Sequence, residues 1–91
     1  MKQIHIIISG KVQGVMMRDH LRKNASILNI KGWVKNKKDG TVEVLAQGKE
    51  SDVDKFIDIC KKGSFLANVQ NVEMNNIPIE EEHEGFQIRH L

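Results

Sequence analysis

The sequence predicts an α+β fold in which an antiparallel sheet of four to five strands carries two helices on one face. Two observations favour this fold. Apolar periodicity follows the order strand, helix, strand, strand, helix, strand, and a short turn joins the two central strands. The chain of 91 residues is long enough for one small domain and too short for two, so we expect residues 1–91 to form a single domain.

The first strand and the first helix have clear apolar faces. A strand is predicted over residues 2–9, because Ile4, Ile6 and Ile8 alternate with residues of the opposite face. A helix is predicted over residues 19–28, with Asn29 as its left-handed terminator. Four apolar residues recur at helical spacing and predict its core stripe: Met17, Leu21, Ala25 and Leu28.

The next two strands are predicted to form a hairpin over residues 30–36 and 41–47. The turn between them contains Gly40 at a position that needs a positive φ. One face of the second hairpin strand is apolar and is expected to face the core: Val42, Val44 and Ala46.

The second helix is predicted to begin at Ser51 as N-cap and to end at Gly63. Its core stripe is Val53, Phe56, Ile57 and Cys60. A fourth strand is predicted over residues 69–77, and a short edge strand over residues 86–90. Two right-handed crossovers then place both helices on one face of the sheet, which is a ferredoxin-like sandwich.

The loop between the first strand and the first helix is a candidate anion site. Its glycines, Gly10 and Gly14, permit a tight backbone path on which successive N–H groups converge. Arg18 adds a permanent cation with a planar fork of donors. Taken alone, the loop fits a phosphate cradle and an ordinary surface loop equally well. The candidate cradle residues are Gln13, Gly14, Val15, Met16, Met17 and Arg18.

Asn36 is the second candidate, because it ends the second strand just before the hairpin turn. Its amide can both donate a hydrogen bond to a water molecule and accept one from it. Asparagine is also common beside hairpin turns for conformational reasons. Taken alone, Asn36 is better interpreted as a turn residue than as a functional one.

Composition excludes several classes of function. The net charge is only +2, which does not by itself imply binding of nucleic acid. The four histidines show no metal-ligand spacing, so they do not indicate a metal site. The single cysteine, Cys60, cannot form an internal disulfide and is expected to be a small buried hydrophobe. No apolar run is long enough to cross a membrane. We therefore expect a cytoplasmic protein, monomeric by default, with no membrane partner.

Two stretches of the sequence resemble the signatures of the acylphosphatase family. Residues 10–18 (GKVQGVMMR) resemble the pattern Gly-x-Val-Gln-Gly-Val-x-aromatic-Arg. Residues 32–48 (GWVKNKKDGTVEVLAQG) resemble the second signature, including its spacing. The predicted order of elements is also that of the family, and the resemblance covers essentially the whole chain.

The resemblance implies hydrolysis of the carboxyl–phosphate bond of acyl phosphates without a metal or other cofactor. It implies that Arg18 binds the phosphoryl group and that Asn36 orients the attacking water. One departure lies inside the first signature, where Met17 stands in place of an aromatic residue. Methionine is a more flexible core filler than an aromatic ring, so the loop is expected to be less firmly held.

Two alternatives remain at this stage. The chain could be a non-catalytic acylphosphatase-like module that binds an anion or a partner, for which Met17 is the only support. The same topology also occurs in RNA-binding domains, which stack bases on strand aromatics. Of the aromatic residues in this chain, only Trp33 and Phe86 lie on predicted strands. We therefore expect no binding of nucleic acid.

Overall fold

The computed structural model describes residues 1–90 and contains five strands and two helices. All the elements of the sequence interpretation are present, with ends that move by at most two residues. In chain order they are β1 (Lys2–Lys11), α1 (Met17–Ile27), β2 (Lys31–Asn36), β3 (Val42–Gly48), α2 (Glu50–Lys62), β4 (Asn68–Asn76) and β5 (Phe86–Arg89).

The sheet has the strand order β4-β1-β3-β2-β5. Three of its pairings are antiparallel, but β5 pairs with β2 in parallel, from Gly32 opposite Phe86 to Lys35 opposite Arg89. The expectation of a fully antiparallel sheet was therefore wrong at this edge. The reason is geometric: β4 runs opposite to β2, so a chain that reverses after β4 and crosses to the far edge runs in the direction of β2.

The core lies between the sheet and the two helices, as the apolar stripes predicted. Ile4, Ile6 and Ile8 are buried on β1, and Met17, Leu21 and Ala25 are buried on α1. The stripe of α2 is also buried, and burial raises the pKa of the Cys60 thiol to about 12. A thiol in this state is an inert apolar filler.

The ends of the helices follow the local signals only in part. Asn29 has a φ of 55° after α1, and Gly40 has a φ of 91° in the hairpin turn, both as expected. The N-cap assignment of Ser51 was wrong, because α2 begins at Glu50 and Lys49 occupies the cap position. Neither helix among residues 1–90 is long and apolar enough to span a bilayer.

Polar contacts hold the connection between β4 and β5 against the sheet. The buried amide of Gln47 donates to the side-chain oxygen of Gln3, and also to the carbonyl oxygen of Glu81 at 2.7 Å. Gln3 donates to the carbonyl oxygen of Pro78 at 3.0 Å, and Gln47 accepts from the backbone N–H of His83 at 2.9 Å. These bonds fix the path by which the chain returns to the far edge of the sheet.

Candidate active site

A cavity of about 280 Å³ lies at the N-terminus of α1. It is lined from the β1–α1 loop, from the end of β2 and from the C-terminal strand. The lining residues are Val12, Gly14, Met16, Met17, Arg18, Asp19, Asn36, Ile88 and His90. The two sequence candidates, Arg18 and Asn36, therefore line the same cavity although they are 18 positions apart in the chain.

The backbone of the loop adopts left-handed conformations at Gly14 (φ 72°) and at Met16 (φ 61°). Alternation of right- and left-handed residues turns successive N–H groups toward one side and forms a concave anion site. Gly14 and Met16 therefore have the left-handed backbone that such sites contain. Gly10, near the end of β1 and just before the loop, has to be a glycine, because a Cβ there would collide with the carbonyl oxygen of Asn68.

Two side chains anchor this loop from outside the cavity through three hydrogen bonds. Gln13 Nε2 donates to the carbonyl oxygens of Lys37 at 2.7 Å and Thr41 at 2.9 Å, which ties the loop to the β2–β3 turn. Ser64 Oγ donates to the carbonyl oxygen of Val15 at 2.7 Å. Gln13 and Val15, two of the predicted substrate-binding residues, are absent from the cavity lining, so their side chains support the loop.

Arg18 is half-buried at the cavity, with Nη1 at 3.4 Å from Nδ1 of His90. The neighbouring carboxylate of Asp19 is engaged elsewhere, by Arg22 at 2.8 Å and Lys23 at 3.1 Å. These two cations hold the pKa of Asp19 below its ordinary value of 3.8. Within residues 1–90, no carboxylate forms an ion pair with Arg18.

Asn36 lines the cavity and has a buried amide oxygen. Its Oδ1 has no hydrogen-bond partner among residues 1–90. A buried acceptor without a partner costs roughly 1–3 kcal/mol, and such groups are rare in native proteins.

Sequence reasoning missed Ile88 and His90, which also line the cavity. The tail was correctly predicted to be a strand, but its partner was not. Parallel pairing with β2 places Ile88 opposite Val34 and brings the following residues toward Asn36. No local signal in the sequence identifies that pairing, because it joins segments more than 50 positions apart.

Met17 is 2% exposed and packs in the core, as its position on the stripe predicted. It also contributes to the wall of the cavity. No group of three or more His, Cys, Asp or Glu side chains within residues 1–90 is arranged to hold a metal ion.

A ferredoxin-like sandwich with a glycine-containing loop and an arginine at the start of its first helix defines the class of protein. Residues 4–88 match the family model described as Acylphosphatase. A curated acylphosphatase from Thiobacillus denitrificans is 39% identical over 89 residues, which covers 98% of this chain and 98% of the relative. The chain belongs to the acylphosphatase family, whose members are enzymes that hydrolyse acyl phosphates.

Solved structures agree with this assignment. The acylphosphatase from Bacillus subtilis has a TM-score of 0.94 and 37% identity, and covers 98% of this chain and 99% of that one. The acylphosphatase from Coxiella burnetii has a TM-score of 0.92 and 38% identity, with 97% and 92% of the two chains covered. The ferredoxin-like fold predicted from the sequence is confirmed.

Proposed function

We propose that this enzyme cleaves the carboxyl–phosphate bond of small acyl phosphates by attack of a water molecule on phosphorus. The backbone amides of residues 13–17 and the guanidinium of Arg18 hold the phosphoryl group, and Asn36 orients the water. One observation carries the proposal. Arg18, which has no carboxylate partner within residues 1–90, and Asn36, whose buried amide oxygen has no hydrogen-bond partner there, line one cavity at a helix N-terminus.

The phosphoryl group is held by charge and by directed donors. The first N–H groups of a helix have no intrahelical partner and carry a partial positive charge. At α1 no side chain caps them, so phosphoryl oxygens are suitable acceptors. Arg18 adds a bidentate ion pair to the same group.

The water attacks from the position that Asn36 defines. Asn36 Oδ1 accepts a hydrogen bond from the water and fixes the direction of its lone pair toward phosphorus. A bond forms between the water oxygen and phosphorus, and the bond from phosphorus to the acyl oxygen breaks. The electron pair leaves with the carboxylate, and the water proton passes to a phosphoryl oxygen of the substrate.

This chemistry requires little from the protein beyond position and charge. A carboxylate is a good leaving group, so no general acid has to protonate it. Transition states of phosphoryl transfer are stabilised mainly by positioning and electrostatics. The proposed reaction therefore uses no metal or other cofactor, and the donor set at the cavity is sufficient for it.

We also propose that residues 1–91 act as one domain and as a monomer in the cytoplasm. One sheet and two helices share one apolar core within residues 1–90, which supports a single domain. The one cysteine is a buried thiol, which suits a reducing compartment. Sedimentation equilibrium of the purified protein tests the monomer directly.

Hydrolysis of benzoyl phosphate in the presence of excess chelator tests the proposed reaction. We expect equal amounts of benzoate and inorganic phosphate, at a rate that the chelator leaves unchanged. Saturable binding of inorganic phosphate without turnover would contradict it and would indicate the non-catalytic alternative.

A further inference from the structure

Three exposed apolar side chains surround the start of α1 beside the candidate active site. Met16 is 68% exposed, Phe65 100% and Leu66 60%. Scattered exposed hydrophobes are ordinary, but a cluster of them marks a binding surface. Here all three line one shallow groove of about 310 Å³, which we call the acyl groove.

The acyl groove shares a wall with the cavity at the N-terminus of α1, which we call the phosphate cavity. Met16 and Asp19 line both of them. The groove volume falls at the lower end of the range of about 300–1,000 Å³ that is usual for small-molecule sites. A ligand whose phosphoryl group occupies the cavity can therefore extend across Met16 into the groove.

The turn that presents Phe65 and Leu66 is fixed to the loop of the active site. The backbone N–H of Ala67 donates to the carbonyl oxygen of Ser64 at 3.0 Å and closes the turn. Ser64 Oγ in turn donates to the carbonyl oxygen of Val15 at 2.7 Å, a buried contact across 49 positions of sequence. The backbone of this turn is thus fixed relative to the β1–α1 loop, while the ring of Phe65 is exposed to solvent.

The chemistry of the groove favours an uncharged apolar ligand. Its apolar surface is a thioether, a phenyl ring and a branched aliphatic chain. Its acidic member, Asp19, is paired with Lys23 at 3.1 Å, so neither charge is left over for a ligand. The remaining polar side chains of the groove are those of His20 and Ser64.

We propose that the acyl groove binds the acyl portion of the substrate and gives the enzyme a preference for aromatic and branched aliphatic acyl phosphates. This inference rests on the proposed function. Displacement at phosphorus places the leaving group roughly in line with, and opposite to, the attacking water. Asn36 lines the cavity but not the groove, whereas Met16 lines both, so an acyl group that leaves on the side of Met16 enters the groove.

Steady-state kinetics with two substrates test the preference. Benzoyl phosphate carries a phenyl ring for the groove, whereas acetyl phosphate carries only a methyl group. We expect Phe65→Ser to raise KM for benzoyl phosphate about tenfold, the effect of losing part of an apolar pocket. KM for acetyl phosphate should change by less than about twofold, because its methyl group makes little contact with the groove. A uniform effect on binding would instead change both KM values together.

Two further variants separate the groove from general effects. Phe65→Leu keeps an apolar side chain and should retain most of the preference. Ile27→Ser is the matched control, because Ile27 is also exposed (77%) but lies at the opposite end of α1. It should leave both KM values unchanged.

The outcomes distinguish this inference from the proposed function. An active wild type whose two KM values are equally affected, or unaffected, by Phe65→Ser would overturn the acyl groove alone. A wild type that hydrolyses neither substrate would overturn both proposals. A concentration-dependent dimer that Phe65→Ser abolishes, without a change in KM, would assign the surface to a second copy of the chain and would also overturn the inference.

Discussion

The two helices of this protein begin in opposite electrostatic surroundings. Neither has a hydrogen-bonded side-chain cap, so both leave first-turn N–H groups for other partners. The start of α2 has Glu50 and Asp52 in its first turn and follows an exposed lysine, Lys49. The start of α1 follows the left-handed residue Met16 and opens onto a cavity.

The first-turn carboxylate of α1, that of Asp19, interacts less with the helix dipole than the carboxylates of Glu50 and Asp52 do in α2. Asp19 is neutralised by Arg22 and Lys23, further along its own helix. The partial positive charge at the helix start and the charge of Arg18 then remain for a ligand. Under the proposed function, the start of α1 binds an anion, whereas the start of α2 has its own carboxylates in the first turn.

The strongest test of this difference removes the cation at the start of α1. Arg18→Ala should lower kcat for benzoyl phosphate by about 10³-fold, since a cation on the transferred phosphoryl group is worth about that much or more. Arg22→Ala is the matched control one turn further on, and should change the rate by less than about threefold because surface ion pairs contribute little. Equal rates for wild type and Arg18→Ala would remove Arg18 from the site.

The next effect concerns the water. Asn36→Ala should lower kcat by about 10²-fold with little change in KM, because a misplaced nucleophile costs rate and not ground-state binding. Asn71→Ala, on the exposed face of β4, is the control and should match the wild type. A parallel rise in KM without loss of kcat would make Asn36 a binding residue.

One chemical change made at both helix starts compares them directly. Met16→Asp places a carboxylate at the phosphate cavity and should raise KM about tenfold through repulsion of the phosphoryl group. Lys49→Asp places the same group at an extended cap position (φ −59°, ψ 143°) and should stabilise the fold by about 1 kcal/mol without changing kcat or KM. Urea unfolding and steady-state kinetics measure the two effects. A similar KM for both variants would contradict the asymmetry.

The smallest effect tests whether Asp19 opposes the anion. Asp19→Asn removes a negative charge from the cavity wall, so KM should fall by about twofold, while Glu50→Gln at α2 should leave it unchanged.

Hydrogen bonds from Arg22 and Lys23 lower the pKa of Asp19, so its contribution to stability is present above its ordinary pKa of 3.8. The stability that Asp19 contributes should disappear as the pH falls through the lowered pKa. Urea unfolding of wild type and Asp19→Asn across this range measures the difference between them. A difference that grows as the pH falls would contradict the assignment of these ion pairs.

Sequence reasoning succeeded where the signal is local. The stripe of α1 placed Met17 in the core, and positive φ values were correctly expected at Asn29 and Gly40. It failed at Ser51, because several residues around the true helix start are compatible with a cap. Helix starts are ambiguous by a residue or two when no capping hydrogen bond decides among them.

The site itself depends on contacts that no local pattern contains. The bonds from Gln13 to Lys37 and Thr41 cross 24 and 28 positions, and the pairing that brings β5 to β2 crosses more than 50. The missing partner of Asn36 Oδ1 is a property of packing, not of the motif around it. The two sequence signatures predicted Arg18 and Asn36 as site residues. That both line one cavity is visible only in the folded structure.

The central claim is that the start of α1, and not that of α2, binds the phosphoryl group. Titration of the ¹⁵N-labelled protein with inorganic phosphate, followed through backbone amide resonances, tests it most directly. We expect saturable shifts at residues 13–18 and none at residues 50–52, with a dissociation constant equal to the inhibition constant of phosphate as a competitive inhibitor. Shifts of equal size at both helix starts, or none at residues 13–18, would contradict it.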